Sequence, residues 1–181
     1  MQQQVLFIQG GGDDGFHADQ PMVRALQAAL GTDYEIVYPE LKSDDQRSDF
    51  GWPRQIGQLI DQHPDGLILA GHSLGASLIL KYLSETTPQK RIAGLFLLAP
   101  PFWSGEEDWK QGLILRPDFG TQLPKEVPIG IYQCLDDDVV PPAQFDRYRE
   151  HLPQATFRLI ETGGHQFNNG MNIVARDIQQ L

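Results

Sequence analysis

The stretch 66–84 constrains the fold more than any other part of the chain. Leu67-Ile68-Leu69-Ala70 is a continuous apolar run, Gly71-His72-Ser73-Leu74-Gly75 follows at once, and a mostly apolar helical segment continues to Ser84. A strand without polar alternation is buried on both faces, which calls for helices on both sides of a parallel sheet. The turn that follows is sharp. Gly71 and Gly75 have no Cβ, so strand and helix backbones approach closely, and Ser73 is left standing at the tip with its hydroxyl outward.

The rest of the chain supplies that sheet. Short apolar, β-rich segments at 5–8, 34–38, 66–70, 92–99, 129–134 and 156–160 alternate with segments of helical spacing at 21–30, 53–62, 74–84, 143–151 and 172–181. Alternation of this kind predicts βαβ units, an α/β fold with a doubly wound parallel sheet. Pro21 suits a first helical turn with Asp19 as its cap, and Gly31 suits the stop after Leu30. Met171, Val174, Ile178 and Leu181 recur at three- and four-residue steps and mark one buried face. Residues 1–181 read as a single domain with a short cap-like insertion at 101–127, rich in Pro, Gly and aromatics.

Charge and composition narrow the partners. The 181 residues carry a formal net charge of −10, whereas nucleic acid and anionic membranes call for a basic footprint. Neither is expected as a partner. The longest apolar stretch, 92–101, falls far short of the ~20 residues of a membrane span. Met1-Gln2-Gln3-Gln4 has no basic residue ahead of the first strand, unlike a signal peptide, so a cytoplasmic location is expected. The single cysteine, Cys134, precludes an internal disulfide and sits in an apolar strand as a small buried filler. Oligomeric state stays open.

A serine hydroxyl attacks only when a base removes its proton. Of the five histidines, His165 is the best placed. It lies between the last strand and the last helix, after Gly163-Gly164, which leave the loop free to aim it. His72 adjoins Ser73 but points elsewhere, and is expected to pack beside the site. His63 and His151 lie just before prolines and read as helix stops, while His17 follows the glycine-rich loop and is a candidate for the pocket wall. The acid that orients the base comes from Asp136-Asp137-Asp138, after the fifth strand, giving the chain order Ser, Asp, His. The residues alone leave open which aspartate serves. Their spacing is not that of a calcium loop, and neither metal nor cofactor is expected. Gly10-Gly11-Gly12 ends the first strand, so a backbone N–H there, with that of Leu74, could hold an oxyanion. Each such donor is worth ~2.7–4 kcal/mol of barrier. A nucleotide phosphate loop fits less well, because no G-x-G-x-x-G register or Lys-Ser/Thr pair is present and Asp13 and Asp14 would repel phosphate.

In this order, and each after a strand, the glycine loop, Gly71-His72-Ser73-Leu74-Gly75, Asp137-Asp138-Val139-Val140-Pro141 and Gly164-His165 resemble the α/β-hydrolase family over essentially the whole chain. The resemblance implies a triad of Ser73, Asp137 and His165, with Asp136 or Asp138 as the alternative acid, and an oxyanion hole of Gly11 and Leu74. Two departures stand out. Gln9 occupies a place where the family commonly has histidine, and the leading antiparallel strands of the family are expected to be absent. The chain is therefore similar to small, minimal members, several of them carboxylesterases, and six parallel strands in the order 2-1-3-4-5-6 are expected. The expected function is a serine hydrolase acting through an acyl-enzyme on a small-molecule ester. Phe102, Trp103 and His17 are expected at the substrate, with Trp109 and Phe119 in the same aromatic cap. The same triad cleaves amides and thioesters and supports perhydrolysis. A non-catalytic binding protein on this scaffold would have lost a triad member, and none is lost here.

Overall fold

Each strand sends alternate side chains to opposite faces, and in the central strands both sets are apolar. The computed structural model describes residues 2–104 and 110–181. Its strands are β1 (Gln3–Ile8), β2 (Tyr34–Val37), β3 (Leu67–His72), β4 (Ile92–Leu98), β5 (Ile129–Cys134) and β6 (Thr156–Ile160). They form one sheet in the order β2-β1-β3-β4-β5-β6, with every neighbouring pair parallel, as the resemblance implied. The helices are α1 (Gly15–Leu30), α2 (Trp52–Asp61), α3 (Ser73–Glu85), α4 (Phe119–Gln122), α5 (Ala143–His151) and α6 (Met171–Ile178).

The alternation divides the core in two. Leu6, Ile8, Leu69, Leu95, Leu97 and Ile131 face α2, α3, α4 and α5. Val5, Phe7, Ile68, Ala70, Phe96, Leu98, Tyr132 and Cys134 face α1 and α6. Burying a Leu, Ile or Phe side chain contributes about 1.5–3 kcal/mol relative to leaving it in water, so a strand lined on both sides counts twice. No helix among the described residues is long and apolar enough to cross a membrane.

Three local expectations need correction. The first helix begins at Gly15, and Pro21 lies inside it. A proline there forfeits one helical hydrogen bond, a loss tolerated because Met22, Val23, Leu26 and Leu30 bury that helix against the sheet. Asp19 is consequently not a cap but a helix residue 1% exposed. Leu181 does not share the buried face of α6, which ends at Ile178, and is 50% exposed. Gly31 does end α1 with a positive φ of 78°. Trp109 lies outside the described residues. The remainder of the 101–127 segment that is described adds Leu113, Leu115, Phe119 and Leu123 to the core on the α3 side.

The start of α3 is wedged against the end of β1. A Cβ on Gly75 would lie 2.2 Å from the Gln9 carbonyl oxygen and 2.7 Å from that of Ile8. Backbone atoms of a central strand cannot give way as a side-chain tip can. Gly75→Ala is therefore expected to destabilise the protein by at least about 3 kcal/mol, the upper end of overpacking costs. Denaturant midpoints of variant and wild type measure it.

Candidate active site

The strand order reverses between β1 and β3, and the loops leaving the carboxyl ends of those strands meet there, the usual ligand position of such sheets. Ser73 is the first residue of α3 and has φ 50°. A non-glycine residue held in this region costs of order 1–3 kcal/mol. The buried strand before it and the buried helix after it impose the conformation, which presents the half-buried side chain to a cleft. Since α3 starts at Ser73, the Leu74 N–H belongs to the first turn, where a helix offers its own N–H groups no acceptor. Gly11 lies against Leu74, and a Cβ there would be 2.8 Å from Leu74 Cδ2. Gly11, Ser73, Leu74 and His165 all line this cleft, whose volume is about 830 Å³.

His165 is held from two directions. Its Nδ1 lies 2.9 Å from Oδ2 and 3.1 Å from Oδ1 of Asp137. A carboxylate accepts, so Nδ1 carries the proton and Nε2 is the basic nitrogen. The loop beneath takes a path open to glycine, with Gly164 at φ 61°, and the N–H groups of Gly163 and Gly164 donate to Asp136 at 3.1 and 2.8 Å.

The aspartate run thus has divided placements. Asp137 is 6% exposed. Besides His165 it accepts from the N–H groups of Val139 and Val140, at 2.9 Å each, and from Gln133 Nε2 at 2.9 Å. Burial alone would raise its pKa, but the bond from His165 and those from Val140 and Val139 outweigh it and hold the carboxyl below the usual range. Exposed Asp136 is also lowered, chiefly by the Gly164 and Gly163 N–H groups, and Asp138 is exposed. Burial, with the charges of Asp136 and Asp137, pushes the Cys134 thiol up to about 12, which makes it a poor nucleophile.

The remaining candidates separate. Trp103 lines the cleft and donates from Nε1 to Ser77 Oγ at 3.1 Å. His17 lines it too, exposed and edge-on to Phe16. Phe102 is turned away from the cleft. It stacks on His151 at 5.4 Å and sits edge-on to Tyr148, and Phe119 packs in the same aromatic group. Gln9, 4% exposed, accepts from the Leu41 N–H at 2.8 Å and so ties the glycine loop to the segment after β2.

Sequence reasoning missed the polar supports. His72 is more than a packing residue, because Nδ1 contacts both Asp19 oxygens, at 2.9 and 3.0 Å, and Nε2 lies 2.8 Å from the His165 carbonyl oxygen. Gln133 was also overlooked, although a lone glutamine within the apolar strand Ile129–Cys134 is a readable sign of a buried polar partner.

Both the sequence and the fold are similar to those of known proteins. A profile described as the alpha/beta hydrolase family matches residues 5–171. No curated protein sequence matches. Among solved structures, the carboxylesterase Cest-2923 from Lactobacillus plantarum is 20% identical, with 95% of this chain and 77% of that one aligned at a TM-score of 0.66. Est1E from Butyrivibrio proteoclasticus is 16% identical over 99% of this chain and 86% of that one, with a TM-score of 0.69. SOBER1 from Arabidopsis thaliana is 16% identical over 99% and 97%, with a TM-score of 0.67.

Proposed function

The chain belongs to the alpha/beta hydrolase family, and on that premise we propose that it is a serine hydrolase cleaving small carboxylic esters through an acyl-enzyme. The observation that carries this reading is the Asp137–His165 pair, 2.9 Å apart, with His165 on a cleft shared with the elbow residue Ser73. His165 Nε2 takes the Ser73 proton as Oγ attacks the acyl carbon. The N–H groups of Leu74 and Gly11 receive the oxyanion. The imidazolium, stabilised by Asp137, gives its proton to the leaving alkoxide. Water then attacks the acyl-enzyme by the same route and frees the acid.

The cleft favours modest acyl groups. Its volume of about 830 Å³ lies within the range of small-molecule sites, and Phe50, Trp52, Trp103 and Leu113 supply apolar wall. Asp13, Asp14 and Asp45 also line it, alongside Lys42 paired with Glu40, and this acidic excess opposes anionic substrates.

Intact-mass measurement after treatment with a fluorophosphonate tests the reading. One adduct is expected, mapping to Ser73, and a panel of p-nitrophenyl esters is expected to show faster turnover of short chains than of long ones. No adduct on folded protein would favour a binding protein on this scaffold. An adduct with anilide or thioester cleavage outpacing ester cleavage would keep the serine chemistry and replace the substrate class.

A further inference from the structure

Next to the proposed triad lies a second acid–histidine pair that the mechanism above does not use. Asp19, on α1, and His72, at the end of β3, are each 1% exposed. Both oxygens of the Asp19 carboxylate are engaged. Oδ2 accepts from the Gly10 N–H at 2.6 Å, both oxygens contact His72 Nδ1, and Oδ1 accepts at 3.1 Å from the Gln166 side-chain amide once that amide is turned to place its NH2 toward Asp19 and the Ala18 carbonyl. The other nitrogen of His72 faces the His165 carbonyl oxygen at 2.8 Å. The carbonyl is an acceptor, so Nε2 donates to it, and one proton is shared between Nδ1 and the Asp19 carboxyl. The hydrogen bonds therefore fix the ring from both of its nitrogens, between the Asp19 carboxyl and the His165 carbonyl.

Its position gives the pair a consequence. Gly10 precedes Gly11, the proposed oxyanion donor, His72 precedes Ser73, and the carbonyl it holds belongs to His165. Three loops that leave different strands are joined through two side chains, and the His72 and His165 rings lie 4.6 Å apart. We infer that the Asp19–His72 pair is a positioning device that keeps the Gly11 loop and the His165 loop in register with Ser73 while touching no reacting atom. This rests on the serine-hydrolase reading. Misplacement of reacting groups by about 1 Å costs on the order of 10²-fold in rate, so a device of this kind acts on the chemical step rather than on substrate affinity.

The test uses the fluorophosphonate as probe, on wild type, Asp19→Asn, His72→Asn and the double variant. The limiting labelling rate of folded single variants is expected to fall between about 10- and 10²-fold, with the half-saturating probe concentration nearly unchanged. The double variant is expected to be no slower than the slower single one, because each substitution breaks the same clasp. Unchanged labelling rates in folded variants, or losses that multiply, would overturn the proposal. A purely structural role would lower thermal stability and leave the labelling rate of the folded fraction alone. Removing one member of a buried hydrogen-bonded pair can prevent folding, so nitrogen NMR of histidine-labelled wild type provides an independent readout. A His72 ring N–H protected from solvent exchange is expected, and a ring N–H that exchanges as fast as that of an exposed histidine overturns the clasp. Absence of any adduct on folded wild type would remove the serine-hydrolase reading itself, whereas a wild-type adduct with unchanged variants removes only the clasp.

Discussion

Replacing Ser73 with alanine is expected to lower kcat on the order of 10⁶-fold toward any ester the protein turns over, and to abolish the fluorophosphonate adduct. Among the described residues, Ser73 is the serine at the elbow beside His165. Ser77 is buried and donates to the Leu74 carbonyl, and Cys134 is buried with its thiol pushed up to about 12. The fold should survive, since alanine at φ 50° carries the same backbone strain as serine and the Ser73 side chain is only half-buried at the cleft. Steady-state rates beside a thermal melt measure both effects. Activity within tenfold of wild type, from protein with an unaltered melt, would show that the reaction does not pass through Ser73.

Asp137→Asn is expected to lower kcat by about 10⁴-fold, because an amide beside Nδ1 stabilises neither the productive tautomer nor the imidazolium. Its neighbour is the internal control. Asp136→Asn should cost less than about tenfold, since Asp136 is exposed and holds the loop through backbone N–H groups that water can also satisfy. Equal losses in the two variants would overturn the division between the two aspartates. The lowered Asp137 carboxyl adds a sign to the stability profile. Its contribution is full above the unfolded value of about 3.9 and is lost as pH falls through the lower folded value. Urea midpoints of Asp137→Asn should therefore fall less between pH 5 and pH 3 than those of wild type.

Much of this arrangement was readable before any coordinates. The apolar runs 66–70 and 92–99 required a sheet covered on both faces, and Gly71 and Gly75 around Ser73 marked a strand forced into a helix at a tight turn. His165 followed from the loop after the last strand, whereas the loop after the fifth strand offered three aspartates, among which the family resemblance pointed to Asp137. Where local rules failed, packing had overridden them. Pro21 reads as a helix start, yet α1 begins at Gly15, since burial of its apolar face outweighs one missing hydrogen bond. Phe102 reads as cleft wall because aromatics in an insertion look alike in sequence. Its ring instead joins His151, Tyr148 and Phe119.

What the chain determines by itself is everything carried by periodicity and by residues close in sequence: the alternating elements, the parallel sheet, the elbow and the order of the proposed triad residues. What only the tertiary structure decides is pairing over long separations. Asp19 lies 53 positions from His72, and Asp136 lies 28 from Gly164. Nothing in a local pattern specifies such partners. Hydrogen bonds are short-ranged and directional, so a buried carboxylate is assigned its donors only when the sheet has already brought the ends of its strands together.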